Sequence, residues 1–111
     1  MHARVTTVQL QPGAIDQAVE IWRKSVLASA QMQPGFKEVL VLGDRATNKG
    51  YAITLWETEA DLEASATGPY LRQTMAEFAP LFAGEPTQEK LEVLLQKERY
   101  EALFQDQDWP A

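Results

Sequence analysis

Two hydrophobic periods take turns along this chain. Residues 3–10, ARVTTVQL, are rich in β-branched side chains and end at Gln11-Pro12-Gly13, which predicts a strand stopped by a turn. From Ala14 to about Met32 the positions Ile15, Ala18, Val19, Trp22, Val26 and Ser29 or Ala30 follow the spacing of one helix face, while Asp16, Glu20, Arg23 and Lys24 point away. Pro34-Gly35 ends that helix, because proline cannot continue the hydrogen-bond ladder. Residues 36–42 and 51–56 predict two strands, joined by the polar stretch 43–50, where Asn48 and Gly50 tolerate positive φ at a hairpin tip. Thr58, with Asp61 three residues on, predicts a capped short helix broken at Gly68-Pro69. A second helix over 70–82 carries the stripe Leu71, Met75, Phe78 and Phe82, with a kink at Pro80. Residues 87–96 predict a fourth strand with Leu91, Val93 and Leu95 on one face, and the tail has helical spacing at Tyr100, Leu103 and Phe104.

The order is β-α-β-β-α-β, an α+β fold of the ferredoxin-like plait: a four-stranded antiparallel sheet with helices on one face. Val39 to Leu42 and Ala52 to Trp56 are apolar on both sides of their strands, so both faces of the sheet should be covered. The helices of so short a chain cover one face. The other calls for a second molecule or a partner sheet, and a homodimer follows as the expectation.

Composition narrows the function classes. The chain has 111 residues with 10 Lys+Arg against 16 Asp+Glu, a formal charge of −6, and no Lys/Arg cluster longer than Arg23-Lys24. Nucleic acid is therefore not an expected partner. There is no cysteine, so disulfides, thiolate nucleophiles and cysteine-based metal sites are all excluded. No apolar run approaches the roughly 20 residues that span a bilayer, and the first ten residues have no signal-peptide core, so a cytoplasmic protein with no membrane partner is expected. The usual nucleotide-binding glycine loops are missing too. One domain over 1–111 is expected, with a core at 3–96 and a C-terminal extension at 97–111.

Pro34-Gly35-Phe36 opening the second strand, the tip from Gly43-Asp44-Arg45 through Gly50, and Leu55-Trp56-Glu57-Thr58-Glu59-Ala60-Asp61-Leu62 closing the third resemble the antibiotic biosynthesis monooxygenase-like domain of the dimeric α+β barrel superfamily. The likeness covers about residues 3–96. It implies a homodimeric α+β barrel whose two sheets pack face to face, with a ligand cleft between sheet and helices in each subunit. The family's activities are diverse: cofactor-independent oxidation of polyketide anthrones, haem degradation, lactone isomerisation. The haem-degrading branch uses an Asn, a Trp and an axial His where this sequence has Thr6, Ser65 and Met75, so it departs from that branch at all three.

The resemblance implies a function as a cofactor-independent monooxygenase of a small aromatic or polyketide-like substrate, with no cofactor and no metal. The alternative is a non-catalytic dimeric protein that binds a small apolar ligand or serves in a stress response. Six residues are cleft candidates, none with an assigned catalytic role. Trp56 at a strand end can stack on a planar ligand, or can fix the strand-to-helix corner. Tyr70 at a helix start can reach in as a donor, or pack half-buried. Trp22, Met75 and Phe78 lie on helix stripes that form either a pocket wall or core. Arg72 can steady an enolate or phenolate, or remain a solvated surface residue. The acidic run Glu57, Glu59, Asp61 and Glu63 reads as capping and solubility, not as a cation site. His2 is expected near a disordered terminus without a partner.

Overall fold

The computed structural model describes residues 1–97, so the helical spacing expected at Tyr100, Leu103 and Phe104 lies outside the described residues. The strands are β1 (His2–Gln9), β2 (Phe36–Asp44), β3 (Lys49–Trp56) and β4 (Thr87–Glu92), and the sheet runs β2-β3-β1-β4 with every neighbour antiparallel. This is the strand order of the split βαβ plait.

The helical segments are α1 (Ile15–Ile21), α2 (Leu27–Gln31), α3 (Glu59–Thr67) and α4 (Pro69–Phe78). Between α1 and α2, Trp22–Val26 winds as a π-helical turn, and the three pieces form one continuous helix. The apolar spacing of this stretch fits an unbroken α-helix, and the wider turn leaves no mark in it. Thr58 caps α3 as expected, its Oγ1 accepting from the Asp61 N–H at 3.0 Å. Gly68-Pro69 separates α3 from α4 because proline takes the first helical position of the new helix. Pro80 then turns the end of α4 into the 3-10 segment Ala79–Leu81.

Two expectations are corrected at strand ends. β4 stops at Glu92, not at residue 96, because its neighbour β1 begins at His2; the last bond joins Val93 N–H to the Met1 carbonyl at 2.9 Å. The hairpin tip is shorter than 43–50. Pairing continues to Asp44 and Lys49, and only Asn48 takes positive φ, at 59°. Gly50 lies in the strand instead, where an added Cβ would come within 3.2 Å of Val8. Gly35 is under a stronger constraint: its φ is +78°, and an added Cβ would stand 2.2 Å from the Asp61 carboxylate.

Side chains alternate across the sheet. Arg4 and Thr6 of β1 and Thr54 and Trp56 of β3 face the helices, whereas Val5, Ile53 and Leu55 face away. On that second face Leu40 and Leu91 remain 54% and 48% exposed, so no helix among the described residues covers it, although Gln96 beyond β4 reaches Glu38 of β2 at 3.4 Å. The helix-covered core divides into two clusters. Leu10, Ala14, Ile15 and Leu81 gather at one end of the sheet, and Ala30, Trp56, Leu62 and Tyr70 at the other.

Candidate functional site

A cavity of about 220 Å³ lies between the sheet and the helices and borders both core clusters. Its floor is set by strand alternation: Arg4, Thr6 and Val8 of β1 and Ala52 and Thr54 of β3 share one face. Its roof comes from the helix over Ile15–Gln31, through Ile15, Val19 and Trp22, and from α4, through Tyr70, Thr74 and Phe78 at helical spacing. The Trp22 and Phe78 rings meet at 5.9 Å between centroids. The wall is thus mainly apolar and aromatic, interrupted by a few hydroxyls and two arginines.

The two arginines differ. Arg45, in the β2–β3 turn, is exposed, and Asp16 holds it through bonds of 2.7 and 3.3 Å. That pairing pulls the Asp16 carboxyl below its ordinary range, first through the hydrogen bond and then through the opposite charge. Arg4 is 4% exposed. Its Nη2 donates to the Leu62 carbonyl at 3.0 Å and to Ser65 Oγ at 2.5 Å, and its guanidinium lies 5.5 Å from the Trp56 ring centroid. Burial lowers the Arg4 pKa, with the Glu63 carboxylate, and the Tyr70 phenolate wherever that forms, acting against it, yet an arginine stays protonated. Burial likewise raises the Tyr70 phenol, so near neutral pH it is a hydrogen-bond donor and not an anion.

Of the six cleft candidates, Trp22, Tyr70, Met75 and Phe78 line the cavity. Trp56 does not. It is fully buried behind Arg4, its Nε1 donates to Thr54 Oγ1 at 3.0 Å, and it packs edge-on against Phe36 and Tyr70. Arg72 is exposed and borders a separate shallow groove beside Met75 and Gln88, because it lies two positions from Tyr70 and so on a different face of α4. Arg4 escaped the sequence reading, since a charged residue in a strand suggests a solvent-facing position. The available signal was its parity: residues 4, 6, 8 and 10 alternate onto the helix-facing side together with Val8 and Leu10.

His2 is a correction. It is part of β1, opposite Trp56 and Glu92, and its Nε2 stands 3.6 Å from Glu59. The acidic run is dispersed: Glu57 meets Lys37 at 3.0 Å, Glu63 pairs with Lys90, and no group of three or more metal-ligating side chains occurs among the described residues. No helix among them is long and apolar enough to cross a membrane.

Known proteins match this arrangement. Over 94 residues, 84% of this chain, the uncharacterized Mycobacterium tuberculosis proteins MT2634 and Rv2557 are 32% identical to it. The chain spans only 41% of the length of these curated relatives. Among solved structures, a variant of SnoaB, a cofactor-independent oxygenase from Streptomyces nogalater, superimposes with a TM-score of 0.70 at 16% identity, covering 86% of this chain and 94% of its own. A variant of MhuD with two manganese protoporphyrin IX bound per active site gives 0.72 at 19% identity, covering 89% and 100%. At such identities these likenesses speak for the fold alone. The family assignment comes from the sequence: residues 1–77 match the antibiotic biosynthesis monooxygenase (ABM) domain, and the chain belongs to that family.

Proposed function

We propose that this chain is a cofactor-independent monooxygenase of a small planar aromatic or polyketide-like substrate. The observation that carries this reading is the cavity: about 220 Å³, between sheet and helices, walled by Trp22, Tyr70 and Phe78. An apolar void of ~150 Å³ takes up benzene, so this one holds more than a single ring. In the reaction, a ring CH2 and O2 give a ring C=O and water, with the substrate itself supplying all the electrons. The chain excludes bulk water, orients the ring against its aromatic walls, and offers the Tyr70 hydroxyl to a substrate oxygen.

The residues present do not fit a porphyrin. Ser65 is buried and engaged by Arg4 and the Leu62 carbonyl, Met75 belongs to the α4 wall, and the chain's single histidine, His2, is outside the lining.

Oxygen consumption across a panel of anthrones and hydroquinones tests the proposal. Uptake is expected with at least one, with Tyr70→Phe slower by roughly 100-fold, the scale of one positioned proton donor. No uptake with any of them, or an unchanged rate in Tyr70→Phe, overturns it. A second reading, a non-catalytic carrier of an apolar ligand, draws on a different observation. The ionisable residues lining the cavity are Arg4, Arg45, Tyr51 and Tyr70, with no carboxylate, histidine or lysine among them to serve as a general base. Binding without oxygen consumption would select it.

The open sheet face supports a homodimer in either case. Val5, Ile53 and Leu55 are only half-buried there and Leu40 is exposed, an apolar surface of the kind a second copy of the sheet would cover.

A further inference from the structure

The protein holds one positive charge inside the cavity and another at its rim, and treats them differently. Arg45 is exposed, and Asp16 neutralises it through two hydrogen bonds. Arg4 has been taken out of water and forms no ion pair with any carboxylate among the described residues. Its contacts are a backbone carbonyl, a hydroxyl and an indole face, all uncharged. These contacts fix the guanidinium without cancelling its charge, and the one carboxylate that acts on it from a distance, Glu63, is itself paired with Lys90. Both bonds from Nη2 run toward α3, and Trp56 lies against the guanidinium at 5.5 Å, while the side chain still lines the cavity. Burying a cation is costly unless something of opposite charge meets it, and the interaction with an incoming anion is strongest where water is excluded.

We infer that the ligand of this cavity is an anion, a planar apolar body carrying one ionised oxygen group that docks against Arg4. This rests on the reading of the cavity as a ligand site and adds the charge of what enters it. The chemical class is an aromatic carboxylate, or a phenol or enol acidic enough to bind as its oxyanion. In both, the guanidinium receives a negative oxygen while the ring lies against Trp22 and Phe78. The chain as a whole carries a charge of −6, so attraction of an anion is local to this arginine and not a property of the surface.

Calorimetric titration of the full chain with 2-naphthoate and with its neutral isostere 2-naphthamide tests the inference. The acid is expected to bind at least about thirtyfold more tightly than the amide, the scale on which one partner of a buried charge pair is felt. Arg4→Gln should abolish that preference while leaving amide binding in place, and Arg23→Gln, an exposed arginine paired with Glu20 outside the cavity, should leave it intact. A nitrophenol titrated through its own ionisation separates the two oxyanion sources: tightening on ionisation assigns the phenolate class, and naphthoate preference alone assigns the carboxylate. Should Arg4→Gln fail to fold, the acid-to-amide ratio of the unaltered chain still decides. Equal binding of acid and amide overturns the anion inference but leaves the cavity as a ligand site. No binding of any probe overturns both. A strong acid preference without oxygen uptake on any substrate upholds the anion site while the monooxygenase reading falls.

Discussion

Alternate residues of β1 and β3 look into two different surroundings, and near the middle of the sheet each side has chemistry usually found on the other. Under the helices stand Arg4, Thr6, Thr54 and Trp56; on the open side stand Val5, Ile53 and Leu55, with Leu40 and Leu91 from the outer strands. An antiparallel sheet with one bare face normally puts its polar residues outward. The inversion teaches that the covered face is only partly core. It sacrifices apolar packing for a cavity with a buried charge and several hydroxyls, while the open face retains the apolar surface that association with another sheet requires.

Substitutions on the two faces should therefore behave differently. Trp56→Ala removes the largest fully buried side chain and leaves Arg4 without its stacking partner. A loss of about 3–5 kcal/mol is expected in denaturant unfolding, independent of protein concentration. A cost that rises on dilution would mean that this face, too, takes part in assembly. Leu40→Asp on the open face should leave the single-chain fold intact and cost about 2 kcal/mol or more of association. Light scattering should then give the mass of one chain where the parent gives two, and a parent that is already a single chain would end the homodimer proposal. The smallest effect is expected at the cavity rim. Asp16 has a folded pKa below its ordinary 3.8, so the stability it lends is present above that value and is lost as pH falls through the lower folded value. A carboxyl titration followed by NMR should place Asp16 below the ordinary aspartate range, and Arg45→Gln should return it to that range.

Much of the fold was legible because local signals agreed with one another. Thr58 as a cap, Gly68-Pro69 as a break and the short, nearly continuous apolar runs of residues 36–42 and 51–56 each act within a few residues, and together they order the elements. The end of β4 was not legible, since it depends on where β1 begins, some ninety residues away in sequence. The site was half legible. Trp22, Tyr70, Met75 and Phe78 sit on helix stripes whose inward direction periodicity reveals, and they do line the cavity. Which aromatic is wall and which is core is a matter of tertiary distance, and so Trp56 lies behind the site and Arg4 within it.

The wide turn at Trp22–Val26 has a consequence for how the roof is built. A π-helical turn holds one residue more than the α-helix it interrupts needs for the same span, and its flanks stay in phase. Trp22 opens this turn, and Ser25 within it bonds the Ile21 carbonyl at 3.1 Å and Glu77 of α4 at 2.6 Å. The aim of the indole is thus set within the wide turn, which Ser25 also ties to α4. A change of chain length by one residue within this turn would therefore turn the Trp22 indole relative to α4, and with it the ceiling of the cavity.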